Sequence, residues 1–321
     1  MASQRSFLSF SASFTGLLET ACILALAGTW LGSLGSLHWL LDLFSHFRLQ
    51  YLVLCLLVLV FALWRRKWPL MAFAIVSLLW NAWPVVKVTA TSMFDHGRPA
   101  FTLMTFNVLY KHAQPERVIE HVLKADADIV CLLETDSNWS QHLQPLRDKY
   151  PHHAEELDYG AFGFACFTRL PVKSMTTRYF AHGLFPSLVM ELDYDSKPLT
   201  VIATHPPPPM SSHTAAIWQK QFIEIAKLAS TIQHDLIVAG DLNATPWCHG
   251  MHLLQTGSGL QFRTAAPVWP PTWGLNLPMM IPIDHVLVKG RLSIMQRTIG
   301  PDVGSDHRPI WVRLHRLVDR D

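Results

Sequence analysis

Three long runs of apolar positions open the chain, and short apolar runs separated by amphipathic stretches follow. Residues 20–41 carry no formal charge, residues 49–64 lie between Arg48 and Arg65, and residues 68–86 lie between Lys67 and Lys87. These runs predict about three membrane-spanning helices. At 1.5 Å of rise per residue the second covers about 24 Å of a roughly 30 Å hydrocarbon core, so its flanking arginines would have to snorkel to the headgroups. The other two are long enough. Trp30, Trp39, Trp64, Trp68 and Trp83 gather near the ends of the runs, where amphipathic rings favour the interface.

From residue 101 the pattern changes to the alternation of an α/β protein. Apolar runs at 101–106, 129–133, 162–167, 188–192, 199–203 and 237–239 predict buried strands, each too short for a helix. Residues 115–124, opening on Pro115, and 211–233 predict helices. The chain therefore divides into a membrane region (1–88), a linker (89–100, with Asp95, Gly97, Arg98 and Pro99) and a folded domain (101–321).

Charge sharpens this division. Only six of the 26 Lys and Arg residues and two of the 24 acids fall in the first ninety positions, which leaves 20 against 22 in the remainder, a balance of −2 before histidine. Such a domain does not track long nucleic acid by charge alone. Arg65-Arg66-Lys67 is the densest positive cluster and should stay on the cytoplasmic side, which sends the third span and the folded domain outward, into the periplasm if the cell is bacterial. Two other readings of the apolar region remain open: a buried helical hairpin, and a cleaved signal ending near Ala25-Leu26-Ala27, which leaves the same orientation. Five cysteines without a C-x-x-C pair offer neither a disulfide framework nor a zinc site, and read as small buried residues.

The strands end on chemistry. Asn107 follows the first, Glu134 the second, and Thr204-His205 the run at 199–203. Gly240-Asp241-Leu242-Asn243 closes the run at 237–239, and on an extended chain Asp241 and Asn243 point to one side, a carboxylate and an amide suited to a hard cation and a phosphate oxygen. Ile283-Asp284-His285 and Ser305-Asp306-His307-Arg308-Pro309 complete the polar set. Strand ends at one sheet edge can bring residues 200 positions apart into one pocket.

Together these six motifs, in this order across residues 101–315, resemble the endonuclease/exonuclease/phosphatase superfamily. The resemblance implies a four-layer α/β sandwich of the DNase I type, with two central sheets face to face and helices outside, and metal-dependent hydrolysis of phosphoesters. It does not cover the apolar region. Abasic-site endonucleases of this superfamily carry an acid where this chain has Leu109, which argues against that activity.

By that resemblance Asn107, Glu134 and Asp306 would hold Mg²⁺ or Mn²⁺, while Asp241 and Asn243 would face the attacking water and the scissile phosphate. His205 and His307 would handle protons and developing charge, with Asp284 fixing the tautomer of His307; His285 reads as structural. Asp241 and the His307–Asp284 pair both stand as the base. Residues 206–209, four prolines, would wall the site or merely connect, and the apolar loop at 268–282 would cradle a base, a lipid tail or a membrane surface, or cover the sheet. The expected partners are a phosphoester (nucleic acid, phospholipid or small phosphodiester) and the lipid bilayer. A membrane scaffold that keeps the fold without catalysis is the competing expectation.

Overall fold

The structure, a computed structural model, describes residues 14–89, 100–111, 114–264, 266–274 and 278–317. The linker motif at 93–99 lies outside them. The chain forms two units, one of residues 1–87 with 247–249, the other of residues 88–246 and 250–321.

The first unit is helical: α1 (Phe14–Gly32), α2 (Trp39–Ser45), α3 (Arg48–Trp64) and α4 (Trp68–Thr89). Its helices approach closely through small residues. A Cβ on Gly28 would collide with the Tyr51 ring, and one on Gly32 with the Ser45 backbone. Polar groups inside the bundle find each other: Asn81 Nδ2 donates to Thr29 Oγ1 at 2.9 Å and Trp30 Nε1 to Ser77 Oγ at 3.2 Å. Glu19 pairs with Lys67 at 3.2 Å, so the start of α1 lies beside the turn between α3 and α4.

The expectation of three spans needs correction. The apolar run at 20–41 is not one helix, because α1 stops at Gly32 and a turn containing Gly35 intervenes before α2. Among the described residues one helix, Trp68–Val88, is long and apolar enough to cross a membrane by itself; α2 and α3, bent by 63°, count as a second only if taken together. The apolar stretch of α1, Gly16–Gly32, is shorter.

The second unit contains β1 (Ala100–Asn107), α5 (Pro115–Ala125), β2 (Ile129–Leu133), α6 (Gln144–Lys149), β3 (His152–Glu156), β4 (Phe164–Thr168), β5 (Val172–Phe180), β6 (Phe185–Tyr194), β7 (Lys197–Thr204), α7 (Ser212–Thr231), β8 (Asp235–Asp241), α8 (His249–Gln255), β9 (Asp284–Lys289), β10 (Leu292–Ile299) and β11 (Ile310–Arg316). The strands form a six-stranded sheet, β10-β11-β1-β2-β4-β3, and a five-stranded sheet, β5-β6-β7-β8-β9. Leu103, Ile129, Cys131 and Leu133 of the first meet Met190, Val201, Ile237 and Val288 of the second, forming the core between the sheets. On the outer face of the first sheet, Met104, Phe106 and Val130 pack with Val118 and Val122 of α5 and Leu146 of α6. Helix α7, opened by a Ser211/Thr214 capping box, covers the second sheet and donates Gln221 Nε2 to Thr204 Oγ1 at 3.0 Å. The layers run helix, sheet, sheet, helix, as the resemblance implied.

Each sheet holds one parallel pair, β1/β2 and β7/β8, and a parallel pair requires a crossover, supplied by α5 and α7. This repetition matters for function. It sends the carboxyl ends of β1, β2, β7 and β8 to the same edge, and these ends carry Asn107, Glu134, His205 and Asp241. β9 and β11 run antiparallel to β8 and β1, so the first residue of β9, Asp284, and the segment before β11, which carries His307, reach that edge as well.

Candidate active site

Close approach of backbones draws the edge together. Gly240, at φ +149, has no room for a Cβ, which would collide with the Thr204 carbonyl, so β8 can bring Asp241 beside His205. Gly163 is seated equally tightly against the carbonyls of Thr135 and Glu156, just past Glu134. Glu134 and Asn243 sit in left-handed backbone, at φ 59 and 47, where a non-glycine residue costs about 1–2 kcal/mol. Such conformations persist only where surrounding contacts impose them.

Seven of the eight expected side chains join one network. The Asn107 amide donates to Glu134 Oε1 at 2.8 Å and to Asp241 Oδ2 at 3.0 Å, and lies 3.3 Å from His307 Nε2. Its own Oδ1 accepts from Leu109 N at 3.1 Å. Glu134 Oε2 accepts from Tyr110 N at 3.4 Å. Asp241 Oδ1 accepts from Asn243 N at 2.9 Å, while Oδ2 lies 3.3 Å from His205 Nε2 and 3.5 Å from His307 Nε2. Asn243 Nδ2 donates to Pro206 O at 3.0 Å and lies 3.3 Å from His205 Nε2. Asp284 Oδ2 lies 2.9 Å from His307 Nδ1. Asp306, the eighth, is hydrogen-bonded to none of the other seven among the described residues, though its charge acts on His307; its Oδ2 accepts from Trp273 Nε1 at 3.0 Å.

The charges follow from this geometry. Burial alone would depress the His307 imidazolium, but the carboxylates of Asp284 and Asp241 outweigh it and push the group up to about 10. Burial would likewise raise Asp241, yet the positive histidines beside it hold it below the usual carboxylate range. His205 is raised above its ordinary value because the bond to Asp241 overcomes its burial. His285 is different: burial and then Arg297 push it down to about 3, and its Nε2 lies 2.9 Å from Ala244 O and 3.1 Å from Pro282 O, fastening the loops beneath the site.

A divalent ion can be placed in two ways. Ligand atoms of Asp241, Asp284 and His307 lie within 4.8 Å of one another, a group that could hold a metal. Within it, however, Asp284 and His307 already face each other at 2.9 Å, and His307 is held as a cation, which suits proton handling better than ligation. The hard carboxylate oxygens of Glu134 and Asp306 suit Mg²⁺ or Mn²⁺ better, whereas Asn107 turns its amide nitrogen toward Glu134 and Asp241 and its oxygen to Leu109 N. Asp306 Oδ1 is buried with no hydrogen-bond partner among the described residues, an acceptor left for a cation or its water.

Several contributors lie outside the eight expected side chains. Ser305 Oγ donates to Asn107 O at 2.8 Å and accepts from His307 N at 3.0 Å, tying the two sides of the site. Thr272 Oγ1 accepts from the backbone of both Ile283 and Asp284 at 3.1 Å. Trp273 holds Asp306, and the Phe162 ring lies 5.3 Å from that of His205. The Ser at the head of Ser-Asp-His was the one sequence signal available for this group.

Residues 104–307 match the sequence model of the Endonuclease/Exonuclease/phosphatase family. No curated protein matches the chain in sequence. Among solved structures it is similar to sphingomyelinase C from Streptomyces griseocarneus, with a TM-score of 0.51, 17% identity and coverage of 67% of this chain and 99% of that one. D. rerio TDP2 complexed with a single-strand DNA product gives 0.56, 14%, 68% and 100%. A beta toxin variant from Staphylococcus aureus with bound magnesium ions gives 0.52, 14%, 67% and 99%. At these identities the likeness is one of fold.

Proposed function

The chain belongs to the endonuclease/exonuclease/phosphatase family, and on that premise we propose that it is a membrane-anchored, divalent-metal-dependent phosphoester hydrolase. The observation that carries this reading is the placement of His307, a buried imidazolium clasped between Asp284 and Asp241 and bordered by the Asn107 amide, which also binds Glu134. A module that only binds a partner has no use for so costly an arrangement of buried charge.

Glu134, Asn107 and Asp306 would hold Mg²⁺ or Mn²⁺. When bound, such an ion supplies Lewis acidity to a phosphoryl or leaving oxygen. Asp241, kept ionised, accepts the proton of the attacking water, while Asn243 offers its amide to the phosphate. His307 donates from Nε2 to a phosphoryl oxygen as negative charge grows there, with Asp284 holding the Nδ1 proton and so the ring's orientation. His205 adds a second donor on the Phe162 side. The reaction is in-line displacement at phosphorus, and the two histidines stabilise charge rather than act as nucleophiles.

The helical unit is the anchor in this reading, with the catalytic unit outside the cytoplasm, on the outer side of the inner membrane if the cell is bacterial. A reporter fused after Lys87 should be active only in its exported form. The net charge of the domain and the nearness of lipid favour a phospholipid headgroup or a small phosphodiester over nucleic acid. Full-length protein in detergent, screened with Mg²⁺ against sphingomyelin, phosphoinositides, DNA, RNA and a chromogenic diester, tests both levels of the reading. Hydrolysis of none of them would reject the activity, and a preference for DNA or RNA would reject the substrate class.

A further inference from the structure

Strands β2 and β4 pair antiparallel, with Cys131 directly opposite Cys166. Antiparallel pairs alternate between hydrogen-bonded positions and non-hydrogen-bonded ones, where the Cα atoms come within about 4.5 Å and the side chains approach most closely. The bond from Arg169 N to Asp128 O, 3.0 Å, makes 128 and 169 a hydrogen-bonded pair. Counting along the register, 130 with 167 and 132 with 165 are bonded pairs, and Cys131 with Cys166 falls at a non-bonded position. That spacing lies inside the roughly 4.4–6.8 Å window for Cα atoms joined through a disulfide. Both thiols are free and fully buried in the core between the sheets. Burial pushes the Cys166 thiol well up, and its hydrogen bond with Cys131, which favours the protonated Cys166 sulfhydryl, adds to this.

We propose that Cys131 and Cys166 are a modification site, closing into a cross-strand disulfide when the catalytic unit folds in the presence of a disulfide oxidant. The Cys131 thiolate attacks the oxidant's disulfide, forming a mixed disulfide and releasing one thiolate. The Cys166 thiolate then attacks the Cys131 sulfur, the protein disulfide forms and the second oxidant thiolate leaves. Two electrons and two protons pass to the oxidant, which ends as a dithiol or as two molecules of reduced glutathione. Because neither sulfur is reachable in the finished sandwich, the exchange precedes docking of the second sheet. The bond ties β2, which ends one residue before Glu134, to β4, whose lead-in Gly163 O accepts from Thr135 N at 3.3 Å. The rim that presents Glu134 is therefore bolted on both of its strands.

The inference goes beyond the hydrolase reading and needs no particular location, so its test supplies the oxidant directly. Full-length protein is made by cell-free synthesis into detergent micelles with oxidised and reduced glutathione, acid-quenched, alkylated under denaturing conditions and mapped by mass spectrometry. A linked Cys131–Cys166 peptide in most chains is expected, with a thermal midpoint roughly 5–15 °C above that of protein made with dithiothreitol. In Cys166→Ala, Cys131 should be alkylated and the effect of dithiothreitol on the midpoint should vanish. Recovery of both cysteines as alkylated thiols in folded protein, or linkage of either to another cysteine, would overturn the proposal.

Discussion

Replacing Asp284 by asparagine removes one charge from the buried triad while keeping its shape. In the native protein His307 Nδ1 is 2.9 Å from Asp284 Oδ2 and Nε2 is 3.5 Å from Asp241 Oδ2. At an effective dielectric of ~20, a carboxylate 3 Å from a cation contributes about 5 kcal/mol of Coulomb attraction before desolvation is subtracted. Each pKa unit corresponds to about 1.4 kcal/mol, so two such neighbours account for an imidazolium pushed up to about 10 in spite of its burial. With Asp241 alone, burial regains much of the balance, and His307 should titrate near its ordinary value, around pH 7. The assay is imidazole-selective NMR of metal-free protein in detergent from pH 5 to 9. Native His307 should stay protonated throughout, and the variant's should pass through a midpoint in that range. Turnover should fall about 10²–10⁴-fold, since the ring loses both its orientation and its charge at neutral pH. A variant whose His307 remains protonated to pH 9 and whose turnover is unchanged would refute the assignment.

Ser305→Ala leaves the carbonyl of Asn107 and the amide of His307 without their shared partner, which should cost about 1–3 kcal/mol in chemical denaturation and lower turnover although no substrate contact is lost. Because His307 is raised on folding, its contribution to stability is complete below its unfolded value near 6.5 and is lost as pH climbs through about 10; a denaturation midpoint that rises between pH 7 and 10 in metal-free protein would contradict this. Asp241 works in the opposite sense, since its folded value is lowered: its contribution is present above about pH 4 and disappears as the solution is acidified, which melts at low pH should reveal and Asp241→Asn should blunt. Glu134→Ala should weaken Mn²⁺ binding, followed by electron paramagnetic resonance, at least about 10-fold; undiminished binding would move the ion to the Asp241, Asp284 and His307 group.

Much of the second unit was legible in the sequence because its central strands are buried on both faces. Residues 129–133 read as a strand because Ile-Val-Cys-Leu-Leu lies between two neighbours with no solvent side. β3 (His-His-Ala-Glu-Glu) and β5 escaped notice for the converse reason: they are edge strands whose polar positions face water, so they show no apolar run. The break after α1 shows a different limit. An uninterrupted apolar run reports what the chain can bury, whereas Gly32 and Gly35 decide where the helix ends. Within the site, residues placed at strand ends could be named from motifs because the parallel pairs bring those ends to one edge, although Glu134 and Asn243 leave extended geometry for the left-handed region. No role could be read for Ser305, Thr272 or Trp273: Ser305 acts on Asn107, 198 positions away, and Thr272 and Trp273 act on Asp284 and Asp306 through bonds set by how the loops before β9 and β11 fold.

The central claim, that these strand ends jointly grip a divalent ion and a phosphorus centre, is tested most directly by hydrolysis of a chromogenic phosphodiester by the full-length protein in detergent. Chelation should abolish turnover, Mg²⁺ or Mn²⁺ should restore it, and Asp241→Asn should reduce it at least about 10²-fold with little change in KM. Metal-independent turnover, or turnover that survives the loss of Asp241, would contradict the account.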